Sequence, residues 1–351
     1  MKSLSLPPHA PPDARSVLAG EDFRARRLLW TLGIVVGLSF LASLMVGPAG
    51  LSPPESLAAL VGRGGAGGDA HRLILREIRL PRALLGLLIG AALGLSGAAL
   101  QGYLRNPLAE PYLLGISGGA GLGAVAVIAA GLSGLWAVPL AAFGGALGAS
   151  AVVYGVAVRQ GSRLDPRVLL LVGVVVAAFC GSIASAVLAL SEAARLRNAF
   201  LWLLGGFGTA SWTAVSVFAG YAVVPLVALF ATARSLDLLS LGDEPAHALG
   251  LATERAKRLV WVATALLTAA SVAVSGMIGF VGLVAPHAIR GWLGPLHRRL
   301  LPAVFLASGT LLVAADAVAR TVLRPAELPV GAITALLGAP LFALLVRRSL
   351  R

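Results

Sequence analysis

The sequence predicts an all-α, polytopic membrane protein. Of its 351 residues, 58% are hydrophobic and only 12% are charged, against roughly 45–50% and 25% in a soluble domain. Mean hydropathy is +0.89. The apolar residues gather into runs of about 20, the length an α-helix needs to cross a bilayer. Strands of a membrane barrel would show about 10 residues of strict alternation, and these runs are longer and apolar on every side.

The first 27 residues are polar, contain Pro and Arg, and read as a disordered cytoplasmic tail. Segment 28–48 is too long for a signal core, has no small-residue cleavage site after it, and reads as a retained first span. Further spans follow at 84–104, 113–132, 135–158, 168–190, 211–233 and 259–275. The next run, 276–293, carries Pro286, His287 and Arg290 and reads as a shorter or broken span. Two more close the chain at 301–319 and 329–346. One ten-helix domain, 28–348, is therefore expected.

Basic residues favour the cytoplasmic side of short loops. With both termini inside, nineteen of the 28 Lys and Arg residues fall in cytoplasmic segments and nine outside. Five of those nine crowd into residues 63–82, an excess that orientation alone does not explain. The net charge of +13 belongs to lipid orientation rather than to nucleic acid. Cys180 is the single cysteine, which excludes an internal disulfide and a CxxC metal site.

The 43 glycines include Gly86, Gly90 and Gly94, then Gly119 and Gly123, then Gly144 and Gly148. Each set repeats every four residues, as helices do where backbones pack closely in a membrane. Ser96-Gly97 precedes Pro107 by the distance at which Ser275-Gly276 precedes Pro286, a spacing that suits an inverted repeat.

Much chemistry is excluded. The two lysines, Lys2 and Lys257, follow no phosphate-binding loop, and no H-E-x-x-H occurs. The five histidines form no ligand set, and no cofactor or metal site is expected in this chain. Asp316 is the one acid inside an apolar span. An intramembrane carboxylate is a candidate functional group; the plainer reading pairs it with Arg320, one helical turn on. A secondary carrier would need a chain of titratable groups at the midplane, and a membrane enzyme would need a convergent polar site. Neither pattern is present.

Four stretches are unusual for generic membrane helices. They are Arg79-Leu80-Pro81-Arg82; Arg105-Asn106-Pro107-Leu108-Ala109-Glu110-Pro111, with Leu114-Gly115-Ile116-Ser117-Gly118-Gly119-Ala120-Gly121; Leu241-Gly242-Asp243-Glu244-Pro245-Ala246-His247-Ala248-Leu249-Gly250; and Gly279-Phe280-Val281-Gly282-Leu283-Val284-Ala285-Pro286-His287, followed later by Glu327-Leu328-Pro329-Val330-Gly331 and Leu337-Gly338-Ala339-Pro340. In this order and spacing, over about residues 28–348, they resemble the FecCD-type permease family of ATP-binding-cassette (ABC) importers, which carry iron–siderophore complexes, haem and cobalamin.

The resemblance implies a type II importer permease in the cytoplasmic (inner) membrane. It would pair with a second copy of itself, two ATPase subunits that hold the ATP and magnesium, and an extracytoplasmic substrate-binding protein. It implies a coupling helix at about 240–252, with Leu241, Gly242, Asp243, Glu244, Ala246, Leu249 and Gly250 meeting the ATPase. Leu239, Leu241, Leu249 and Leu251 would give that helix its apolar face. It implies docking of the binding protein by Arg79, Arg82 and Arg320, with Arg324 nearby, and a cytoplasmic gate containing Asn106, Leu108, Asp165 and Pro166. Spans five and ten would line the pathway with small apolar residues such as Val174, Val175, Ala178 and Ser182. The expected cargo is an iron–siderophore or related chelate, with haem or cobalamin as alternatives and an ion-coupled carrier as the rival mechanism.

Overall fold

The computed structural model describes residues 14–47, 54, 68–132, 134–159, 165–323 and 325–349. Every one of the ten apolar runs carries a helix. Helix α1 is Ala14–Met45. Helix α2 (Gly68–Leu73) runs through a π-helical stretch, Ile74–Arg79, into α3 (Leu80–Tyr103). Then come α4 (Ile116–Ala129), α5 (Ala137–Arg159), α6 (Pro166–Ala189), α7 (Ala193–Leu203) and α8 (Trp212–Ala231). The short α9 (Ala233–Ser240) and α10 (Asp243–Ala248) lead to α11 (Thr253–Ser275) and α12 (Val281–Leu293). Helices α13 (His297–Ala319) and α14 (Val330–Ser349) complete the bundle.

Among the described residues, seven helices are long and apolar enough to cross a membrane, while Ile116–Ala129 and Val330–Leu344 are apolar but shorter. Helix α12 has 13 residues. Helix α12 falls where the sequence showed an interrupted run, and α4 where it showed a Gly-rich one.

The expected disordered tail is corrected in part. Residues 14–27 form the first turns of α1, because Ala, Leu, Arg and Glu favour a helix and the prolines all lie earlier, at positions 7–12. Residues 1–13 lie outside the described residues. Helix α7 is a second departure. It was not expected, because its two arginines and Asn198 break the apolar run.

Helix α3 lies at the centre, packing against α8, α11, α12 and α13, with nearly all its residues buried. Its glycines allow this. A Cβ on Gly90 or Gly94 would collide with Ser308 of α13, and one on Gly97 with the Gly282 backbone of α12. Helices α4 and α5 meet in the same way, through Gly119, Gly123 and Gly145. Close backbone approach replaces large interdigitating side chains, since lipid removes the hydrophobic drive for helices to associate. The suspected repeat has no local counterpart, however: Gly97 remains inside an uninterrupted helix, whereas Gly276, at φ 68°, ends α11.

Helix α1 is peripheral. It packs along α13, buries Ala25, Ser43 and Leu44, with Leu44 against Leu75 and Ala83, and leaves Ile34, Leu38 and Leu41 exposed. Helix α6 likewise buries Gly173 and Cys180 but exposes Leu171, Val174, Val175 and Phe179.

Gly97→Val should therefore overpack the crossing of α3 and α12, at a cost of about 1–3 kcal/mol. It should lower the apparent melting temperature of the detergent-solubilised protein. Gly144→Ala, where an added Cβ meets nothing within 4 Å, should leave that temperature unchanged. Equal melting temperatures for both variants would refute the packing account.

Candidate functional site

Three polar arrangements interrupt the apolar bundle, and each starts from residues singled out in the sequence. The first surrounds α10. Gly242 (φ 112°) and Gly250 (φ 85°) bracket this short helix, in backbone conformations that side-chain-bearing residues rarely adopt. The expected helix over 240–252 is thus shortened to Asp243–Ala248. Ala246 is fully buried, while Leu241 and Leu249 are each 61% exposed. The expected apolar face is corrected as well: Leu239 turns into the core and Leu251 is half-buried. Glu244, Pro245 and His247 are exposed between the two outer leucines.

The segment is clamped from beneath. The Lys257 ammonium is 1% exposed and donates to Asp243 and, at 3.3 Å, to Glu254. Burying a Lys demands such partners. In the neighbouring helix α9, Asp237 accepts from the His297 backbone N–H and pairs with His297 Nδ1, both at 2.7 Å. Leu236 and Leu239 anchor α9 in the core. A short exposed lever therefore rests on α11 and α13 through charged ties.

The second arrangement lies at the other end of the bundle. Arg82 forms hydrogen bonds to Asp316 at 2.9 and 3.0 Å and to Glu327 at 2.8 Å. Arg320 pairs with Asp316 at 2.9 Å, and donates to the Val46 carbonyl at 2.8 Å and to Ser43 Oγ at 2.8 Å. Arg79 donates to the Leu44 carbonyl at 2.7 Å. The arginines expected to face a partner protein are thus turned inward: Arg79, Arg82 and Arg320 are 3%, 8% and 3% exposed. The physical reason is that Asp316 is itself buried and draws both guanidinium groups, while the last turn of α1 offers unpaired carbonyls to the others. The pairing of Asp316 with Arg320 follows the spacing seen in the sequence. Arg324 lies outside the described residues. Of the three, Arg82 lines an open cavity of about 670 Å³, shared with Glu327, Trp136, Trp202 and the Gly205–Gly208 segment.

The third arrangement joins loop 105–112 to the break between α11 and α12. Asn106 holds its own turn, its side-chain oxygen accepting from the Leu108 N–H at 2.9 Å. Leu108 is 44% exposed. Glu110 accepts from the Phe280 N–H at 2.7 Å; burial pushes its carboxyl above the ordinary range and the Phe280 amide opposes this. The Tyr112 hydroxyl bridges both backbone groups of Ile278. Gln101 reaches the Gly282 carbonyl at 3.4 Å and accepts from Arg290 at 2.9 Å. Irregular backbone in a membrane protein needs such internal partners. Asp165 accepts from the Arg167 N–H at 2.8 Å, capping α6, with Pro166 at its first position. Sequence reading missed Gln101, Tyr112 and Arg290 as members of this joint; polar side chains at the edges of apolar runs were the available signal.

The face of α6 expected to line a pathway is exposed at Val174, Val175, Ala178 and Ser182. Ser182 and Ser185 donate to carbonyls one turn back, both at 2.9 Å, so their hydroxyls are turned onto the helix and the wall is smooth. Among the described residues no group of three or more His, Cys, Asp or Glu could hold a metal.

The model of the FecCD transport family matches residues 35–348. The cobalamin import system permease protein BtuC of Halobacterium salinarum is 44% identical over 279 residues, 80% of this chain and 74% of its own. The hemin transport system permease protein HmuU of Yersinia pestis is 43% identical, over 80% of this chain and 85% of its own. A solved inward-facing structure assigned to the metal-chelate type of ABC transporter superposes with a TM-score of 0.80 at 32% identity, covering 92% of this chain and 99% of that one.

Replacing Asp316 with Asn should leave two buried guanidinium groups without a full counter-charge and cost about 3–5 kcal/mol. Thermal unfolding in detergent measures this. A melting temperature equal to that of the wild type would show the cluster to be dispensable.

Proposed function

The chain belongs to the FecCD transport family, and from that premise we propose that it carries an iron–siderophore or related metal chelate across the cytoplasmic membrane. It is the permease subunit of an ABC importer; ATP hydrolysis belongs to a separate ATPase subunit. In the proposed assembly two copies of the chain meet through α6 and α14, each with an ATPase bearing ATP and magnesium, and a binding protein delivers cargo from outside. Each copy crosses the membrane ten times, counting α4, α12 and α14, and has both termini in the cytoplasm. Cobalamin or haem is the second reading of the cargo, favoured by the relatives that carry those names.

The observation that carries the coupling proposal is the clamped lever. Leu241 and Leu249 stand out at either end of α10 while Ala246 and Lys257 fix it to the bundle. A helix laid into a groove needs apolar anchors of this kind, and a clamped base lets nucleotide-driven closure move the bundle rather than bend a loop. Gly242 and Gly250 set the length of the lever, and Asp243 and Glu244 occupy its first turn.

The binding protein is placed at the opposite end. Arg82, in the wall of the outer cavity, is the docking group a partner's carboxylate reaches first; Arg79 and Arg320 follow only as the cluster opens. Electrostatic pairs of this kind chiefly set orientation and association rate. At the lever's end, Asn106 and Leu108 together with Asp165 and Pro166 form the proposed gate. The smooth faces of α6 and α14 form the wall, since a bulky chelate is handed over rather than held.

Reconstitution in liposomes with the ATPase and binding protein tests the reading, using labelled ferric siderophore, haem and cobalamin in turn. ATP-dependent uptake of one of them is expected; uptake driven by an ion gradient without the ATPase would refute it. Leu241→Asp with Leu249→Asp should reduce ATP-driven uptake about thirty-fold, as for loss of an anchor worth ~2 kcal/mol. Unchanged uptake would move the ATPase contact elsewhere.

A further inference from the structure

Helix α1 carries a feature that transport does not use. Its outward stripe, read at successive three- and four-residue steps, is Phe23, Arg27, Trp30, Ile34, Leu38 and Leu41, all exposed. Phe23 is 68% and Trp30 77% exposed. One cation thus sits between two outward aromatics on a face that is otherwise apolar. Arg24 and Arg26 are exposed on either side, and Ala25 between them is buried.

The depth of this turn follows from the packing. The other end of α1 is fixed at Ser43, which Arg320 holds at 2.8 Å. Sixteen residues separate Arg27 from Ser43, about 24 Å at the helical rise, and nineteen separate Arg24 from it, about 28 Å. The hydrocarbon core is about 30 Å thick. Arg24, Arg26 and Arg27 therefore stand at the membrane interface opposite the Arg82–Asp316 cluster.

The neighbouring helices agree independently. Helices α1 and α13 pack together and run parallel, since Ser43 and Arg320 meet near their C-terminal ends. By the same rise, Arg298 lies about 33 Å from Arg320, level with the α1 arginines, and is exposed. Trp292, near the end of α12, is 75% exposed. Exposed tryptophans mark the headgroup level, and arginine matches phosphate oxygens in a fork geometry. In sequence Glu21 and Asp22 precede the cluster, yet Arg24, Arg26, Arg27 and Arg298 still leave an excess of positive charge there.

We propose that Arg24, Arg26 and Arg27 of α1, with Arg298 of α13, form a binding site for the phosphate headgroup of an anionic phospholipid, flanked by Phe23, Trp30 and Trp292. The lipid tail lies along the Ile34–Leu38–Leu41 face. Such a lipid covers the outward face of a peripheral helix, where Phe23, Trp30 and Ile34 are exposed.

The full-length permease in nanodiscs of phosphatidylglycerol and phosphatidylcholine, followed by native mass spectrometry of co-retained lipid, tests this. The wild type should retain phosphatidylglycerol over phosphatidylcholine. Arg24→Gln/Arg26→Gln/Arg27→Gln should lower that preference at least about fivefold, the effect of one basic residue near a charged surface. The triple Lys variant should keep most of it, and Arg197→Gln, on α7, should change nothing. Equal retention by the triple Gln variant would overturn the site, as would no lipid preference in the wild type. Displacement of the lipid by inorganic phosphate at constant ionic strength would assign the cluster to a free anion. Loss of ATPase association by the triple Gln variant, with lipid retention intact, would assign it to the ATPase.

Discussion

The structure depends on how closely other backbones can approach α3. In lipid no hydrophobic force gathers helices, so association rests on packing and on polar groups satisfied between them. Helix α3 meets both needs along its length. Gly90 and Gly94 admit α13, and Gly97 admits the Gly282 backbone. Its two ends carry polar groups that sew on further elements. Arg82 ties it to α13 and to the segment before α14, while Gln101 ties it to α12 through the Gly282 carbonyl and Arg290. A helix with large side chains on this face would hold its neighbours further away, and these hydrogen bonds would not form.

The two ends of the bundle are held by different chemistry, which suits the proposed lever-driven conduit. At the α10 end the ties are few and lie at the base of a protruding segment: Lys257 to Asp243, His297 to Asp237. Leu241 and Leu249 are the large apolar side chains of its exposed surface, with Glu244, Pro245 and His247 between them. At the other end the charges are gathered inward, and α1, α3 and α13 are joined through Arg79, Arg82, Asp316 and Arg320. In the proposed mechanism a rigid bundle between these ends transmits a displacement applied at one of them, and the exposed face of α6 presents apolar residues with its serine hydroxyls bonded back onto the helix.

Much of this was legible in the residues. Apolar run length found a helix in each of the ten runs, and the spaced glycines marked the crossings at Gly90, Gly94 and Gly119, whereas Gly144 and Gly148 meet nothing within 4 Å. The family motifs placed the short helix α10 to within a few residues; Gly242 and Gly250 set its ends because positive φ there is a local backbone property that the sequence carries. Side-chain direction was not legible. Arg79, Arg82 and Arg320 read as outward cations, since a sequence shows charge but not which buried carboxylate will claim it. Only Arg320, at helical spacing from Asp316, gave its partner away; the Arg82–Asp316 contact spans 234 positions. Leu239 and Leu249 were equivalent in the pattern, yet one is core and the other surface, because the glycine turn at 242 lies between them. Helix α7 was hidden by its polar residues.

The source of driving force follows from where the buried charge sits. A carrier coupled to protons or ions needs a group that can change its charge within the membrane and be reached from each side in turn. Asp316, the acid inside an apolar span, is held between two guanidinium groups, with its side chain 2% exposed. Removing this carboxylate would strand Arg82 and Arg320 at a cost of about 3–5 kcal/mol, so it is committed to holding α3 and α13 together. Glu110, an acid in the loop before α4, is spent on the Phe280 amide at the helix break. Neither carboxylate is placed to cycle. Work is then delivered from outside the chain, in keeping with an ABC importer whose ATP hydrolysis belongs to a separate subunit, and the clamped, leucine-tipped α10 is the segment proposed to receive it.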